Sequence, residues 1–129
     1  MTVVPVFHPR AEARRALKRG FPRAAGSVRL CRSVAAVERL LYQRLVDAVV
    51  LDVTAAPELA LALPPRFPRI PMFVLSPVRP DDGPLLAACR AVGFAGVLVE
   101  GVDNAVAGEW VDIGVGEWCS QPGFVGGVG

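Results

Sequence analysis

Four side chains able to do chemistry each stand at the end of an apolar run. His8 follows Thr2–Phe7 (TVVPVF), and Asp52 nearly closes Asp47–Val53 (DAVVLDV). Ser76 closes Ile70–Ser76 (IPMFVLS), and Glu100 closes Gly96–Glu100 (GVLVE). If these runs are neighbouring strands, two carboxylates, a hydroxyl and an imidazole share one edge. His8, the single histidine, could then pair with Asp52 or Glu100, the kind of pair that makes a site pH-sensitive. Each residue also has a plain structural reading. Asp52 can cap the following turn, Ser76 before Pro77 can be a turn residue, and His8 can cap a helix or bond locally.

Other chemistries lack their residues. Cys31, Cys89 and Cys119 are odd in number and far apart, with no C-x-x-C, so neither a zinc site nor a redox pair is expected. Cys31 and Cys89 fall on apolar patterns and are expected to be buried; Cys119 is expected to be a free thiol. No G-x-G-x-x-G follows the first run. There is no Walker A motif, no D-x-H-x-x-G signature, and no cysteine nucleophile after the first run. No metal, no cofactor and no enzymatic activity are expected.

The elements that must position the four residues alternate strand and helix. Pro9–Arg19 is expected as a helix, with Pro9 in its first turn. Ser27–Cys31 alternates with period two and predicts a strand. Ser33 is placed to cap a helix with Val34, Val37, Leu41 and Leu45 on one stripe. Ala55–Leu63 predicts a weak helix ended by Pro64 and Pro65. Asp81–Val92 predicts a helix striped by Leu85, Cys89 and Val92 and closed by Gly93. Asn104–Val111 is expected as a short last helix. The near-continuous apolar runs at 47–53 and 70–76 suit parallel strands buried on both faces. Five β-α units imply an α/β, doubly wound, five-stranded parallel sheet of flavodoxin-like type, strand order 2-1-3-4-5. Functional groups would gather at the carboxyl ends of its strands.

Composition sets the outer limits. The chain has 129 residues, 53% of them hydrophobic and 20% charged, with a mean hydropathy of +0.44. That suits one domain, is too apolar for a disordered chain, and offers no apolar run long enough to span a membrane. Pro5, His8, Pro9 and Arg10 interrupt the first apolar stretch, so no signal peptide is expected and the setting is expected to be cytoplasmic. Charge is uneven. Residues 1–32 carry eight basic side chains and one acid; the remainder carries six arginines and eleven acids. Lys18 is the only lysine. The basic segment is read as a solvated helix face, and nucleic acid is not expected as a partner of this chain alone. Asp112–Gly129 holds six glycines in eighteen residues and shows no helical period, so 1–111 is expected as the domain and 112–129 as a Gly-rich tail.

At this level the chain resembles the receiver domain of bacterial response regulators, over roughly residues 2–111. The resemblance rests on DAVVLDVT (47–54), IPMFVLS (70–76) and AVGFAGVLVEGVD (91–103). It implies a flavodoxin-like fold and a role in signal transduction, commonly upstream of a transcriptional output domain. It puts Asp52 at the phosphoacceptor position and Ser76 at the switch hydroxyl. Two acids after the first strand, which would hold Mg²⁺, are absent; Phe7-His8-Pro9 stands there. The lysine after the fifth strand is absent too; Glu100-Gly101 stands there. The expectation is a pseudo-receiver with a degenerate pocket at His8 and Glu100, acting by protein contact or dimerisation. The implied contact face is formed by the fourth helix, fifth strand and fifth helix (Asp82–Arg90, Val97–Val99, Asn104–Trp110). A receiver phosphorylated on Asp52 and a small-molecule-binding flavodoxin-like domain stand as alternatives.

Overall fold

A computed structural model describes residues 2–21, 27–101, 103 and 106–120. Strand β4 (Val49–Asp52) is buried at every position and lies in the middle of a parallel sheet. Around it stand β1 (Thr2–Phe7), β2 (Val28–Cys31), β5 (Met72–Ser76) and β6 (Gly96–Val99), in the order β2-β1-β4-β5-β6. Counting these five core strands alone gives the expected order 2-1-3-4-5. The expected α/β architecture is therefore the one present.

Period two along the central strands builds two cores. Val49 and Leu51 of β4, with Met72 and Val74 of β5, point to one face. Val50 of β4, with Phe73 and Leu75 of β5, point to the other. The first face is covered by α2 (Val34–Gln43), α3 (Pro57–Leu61), α4 (Leu63–Arg66) and α5 (Gly83–Val92). The second is covered by α1 (Ala11–Arg19) and α6 (Ala107–Ser120), through Leu17, Ala107 and Val111. Each such large side chain taken from water stabilises the fold by about 1.5–3 kcal/mol.

Several boundaries differ from expectation, each for a local reason. Pro9 lies outside α1, whose first residue is Ala11, because the chain is still extended at Arg10. Ser33 caps α2 as expected, accepting from the Ala36 N–H at 3.1 Å, but α2 ends at Gln43. Leu45 is thus not on the helix stripe. It is 69% exposed and pairs with Thr2 as part of the two-residue strand β3 (Leu45–Val46). Strand β1 meets β3 through Thr2 and Val3, then β4 through Val6 and Phe7. The change of partner falls between Val3 and Val6, where Pro5 has no N–H to donate. Pro64 and Pro65 do not end a helix; they sit in the first turn of α4, where a missing N–H is harmless. A 3₁₀ turn, Pro80–Asp82, precedes α5, and Gly93 (φ 106°) closes that helix in the left-handed region as expected.

The largest correction concerns the last helix. Asn104 lies outside the described residues, and α6 continues nine residues past Val111, to Ser120. Ala107, Val111 and Val115 recur at helical spacing and pack on the second core. The glycines that hid this period are contact points. Gly108 donates its N–H to the Gly20 carbonyl at 2.8 Å, and a Cβ at Gly114 would lie 2.4 Å from the Phe73 ring. Residues 121–129 and the side chain of Cys119 lie outside those described. Among the described residues, no helix is long and apolar enough to cross a membrane.

Candidate functional site

Sheet register brings the four sequence-selected residues to one edge. Phe7 pairs with Leu51, so His8 and Asp52 are the next residues out on adjacent strands. Asp52 pairs with Leu75, and Ser76 with Val99, so Ser76 and then Glu100 follow. All four lie at carboxyl ends of strands, where open α/β sheets place their sites.

His8 is 4% exposed, and its Nε2 lies 2.6 Å from Glu100 Oε1. The Arg10 backbone N–H donates to His8 Nδ1 at 3.1 Å. In the neutral ring, Nδ1 is therefore the acceptor, and the proton sits on Nε2, donated to Glu100. Arg14, itself buried, donates from its guanidinium to the His8 carbonyl at 2.7 Å. The Arg10 guanidinium lies 3.7 Å from the same Glu100 oxygen. Of the two pairings open to His8, the structure has the one with Glu100. Since β4 and β5 stand between β1 and β6, this pair joins strand ends across the two that carry Asp52 and Ser76.

Asp52 is 3% exposed, and both carboxylate oxygens are engaged. The Thr54 hydroxyl donates to Oδ1 at 2.9 Å and reaches Oδ2 at 3.1 Å; the Ala55 N–H donates to Oδ2 at 3.1 Å. This is a carboxylate capping the turn that follows it. Ser76 is also buried. Its Oγ accepts from the Val78 N–H at 3.0 Å and lies 3.5 Å from Asp82 Oδ2, which accepts from the Arg79 N–H at 2.8 Å. Val78 has φ 54°, the only positive φ at a non-glycine among the described residues. A β-branched residue there is strained.

Mg²⁺, the ion that the family resemblance implies, needs several hard oxygen ligands in octahedral order. The end of β1 supplies an imidazole instead of carboxylates, and both its nitrogens are engaged. The Asp52 oxygens are held by Thr54 and Ala55. The donor set does not fit this ion.

Three contributors, Arg14, Thr54 and Asp82, are not among the site residues expected from sequence. Arg14 counted as part of a basic run, yet it lies one helical turn before the buried Leu17, on the face of α1 turned to the sheet. That spacing was a usable signal. Thr54 and Asp82 carried none beyond being near Asp52 and Ser76. Cys31 and Cys89 are buried, as expected, and burial pushes both thiols above their ordinary value.

No protein-family model matches the sequence, and no curated protein matches it. Solved structures do. A response regulator from Thermotoga maritima is 18% identical with a TM-score of 0.74, over 90% of this chain and 99% of that one. The signal receiver domain of an HD domain-containing protein from Pseudomonas fluorescens Pf-5 is 16% identical with a TM-score of 0.76, over 90% and 88%. A LuxR family DNA-binding response regulator from Silicibacter pomeroyi is 22% identical with a TM-score of 0.71, over 91% and 93%. At such identities the likeness is one of fold: this chain has the fold of response-regulator receiver domains.

Proposed function

We propose that this chain is a receiver-fold regulatory module of two-component signalling that acts through protein contact, without Mg²⁺-dependent phosphoryl transfer to Asp52. The observation that carries this reading is the part-buried His8–Glu100 pair at 2.6 Å. It stands where the resemblance asks for metal-binding acids and a phosphate-binding lysine. A phosphoryl group brings about −1.5 to −2 charge. At 4–6 Å and an effective dielectric near 20, each unit pair of charges is worth roughly 3–4 kcal/mol. Replacing a cation by Glu100 reverses the sign of that contribution at the edge where phosphate would have to sit.

What is left for the module is its surface. Val106, Trp110 and Ile113 are all at least one-third exposed, at the start of and along α6. Apolar groups gathered at helical spacing along one element suit a docking face for a partner protein or a second copy. It overlaps the expected face at Val106 and Trp110 and extends along the last helix to Ile113. In this proposal the module runs through α6, works in the cytoplasm, and regulates an output such as transcription.

The test is incubation of the full chain with acetyl phosphate and Mg²⁺, followed by intact mass measurement, with Asp52→Asn as control. The expected spectrum shows no phosphoryl adduct. An adduct on the wild-type chain that the control lacks would establish a phosphorylatable receiver instead.

A further inference from the structure

We propose that the cleft between α5 and β6 is a binding site for a small amphipathic anion, an apolar body carrying one acidic group. The cleft follows from the packing. Helix α5 lies over the first core through Cys89, and the edge strand β6 turns Val97 to the same side, 44% exposed. The short side chain of Ala87 leaves space between helix and strand, about 640 Å³, with the backbone of Ala95 and Gly96 along its strand side. That volume lies in the range of pockets that enclose ligands of drug size.

The lining states the chemistry. Val74, Leu86, Phe94 and Val97 supply apolar walls from the helix, the strands and the turn between them. Among the described residues of the lining, Arg90 alone is charged, and no acid accompanies it. It is exposed on the last turn of α5. Its guanidinium makes no hydrogen bond or ion pair among the described residues. Apolar side chains on one part of the lining and a cation with backbone polar groups on the rest match a ligand with an apolar body and one anionic head. Carboxylate or sulfonate would each be held by the planar guanidinium fork. The site is separate from the His8–Glu100 edge and holds whether or not Asp52 accepts phosphate.

The probe is 8-anilinonaphthalene-1-sulfonate, titrated into the full chain and read by fluorescence. One saturable site is expected. Ala87→Trp, which fills the cleft from an exposed position, should weaken binding at least tenfold. Arg90→Glu should weaken it at least fivefold. Trp110→Ala, on the separate exposed face of α6, should leave it unchanged. Absence of saturable binding, indifference to Ala87→Trp, or loss of binding in Trp110→Ala would each overturn the assignment. The last result would place the probe on the α6 face. Failure here leaves the phosphodonor experiment unaffected, since that experiment reads Asp52 alone.

Discussion

His8 Nε2 and Glu100 Oε1 meet at 2.6 Å although two strands separate the elements that carry them. The pair is a lateral tie across the carboxyl edge of the sheet, held at its His8 end by the Arg10 N–H on Nδ1 and by Arg14 on the backbone carbonyl.

The tie has a measurable coupling. His8→Ala and Glu100→Ala should each lower unfolding free energy by about 1–3 kcal/mol, since each strands a partly buried partner. The double variant should lose less than the two singles together, by about 0.5–3 kcal/mol. Urea denaturation of the four proteins gives the cycle. Strict additivity would show that the contact contributes nothing of its own. Independently, ¹⁵N-detected ring correlations should find the neutral His8 protonated on Nε2.

The glycines of α6 should respond in opposite directions to alanine. At Gly108 a Cβ would lie 2.7 Å from the Gly20 carbonyl oxygen, and at Gly114 2.4 Å from the buried Phe73 ring. Both substitutions overpack and should cost about 1–3 kcal/mol, Gly108→Ala the more, because its obstacle is backbone. At Gly116 nothing lies within 4 Å, so Gly116→Ala should stabilise by about 0.5–1 kcal/mol. Thermal melts rank the three, and a stabilising Gly114→Ala would mean that α6 does not lie on Phe73.

Alkaline pH should weaken the fold. Burial raises Cys31 and Cys89 above their ordinary value of 9.0, against smaller lowering effects at Cys31 from a Val6 backbone bond and the Arg14 charge. The folded chain then holds these protons more tightly than the unfolded one. Their contribution is full below about pH 9 and is lost as pH rises through the raised values. Urea midpoints measured from pH 8 upward should fall, and a Cys31→Ala, Cys89→Ala variant should show a shallower decline.

The strained Val78 offers a relief experiment. A branched residue held at φ 54° costs on the order of 1–2 kcal/mol, which glycine avoids. Val78→Gly should therefore stabilise by about 1 kcal/mol. Ser76→Ala, which removes the acceptor of the Val78 N–H, should destabilise by about 1 kcal/mol. A loss of stability in Val78→Gly would show that its side chain contributes more than its backbone conformation costs.

The strand ends were legible because burial on both faces writes itself as continuous apolar sequence. DAVVLDV and IPMFVLS could hardly be other than central strands, and they carried Asp52 and Ser76 to the right edge. Partners were less legible. Period and spacing place His8 at an edge but do not choose between Asp52 and Glu100, a choice that depends on how side chains reach across β4 and β5. Helix α6 was missed past Val111 for a different reason. Glycine counts against a helix in sequence, whereas at Gly108 and Gly114 its small size is what lets the helix dock.

A fourteen-residue helix with glycine at 108, 114 and 116 gives up about 1 kcal/mol of intrinsic propensity at each, so α6 in isolation would be largely coil. It is helical because Ala107, Val111 and Val115 are seated on the second core. Such an element opens as a unit below the free energy of global unfolding. Amide exchange should accordingly be faster along α6 than along β4 and β5, making the face that carries Trp110 and Ile113 a reversible attachment rather than a fixed wall.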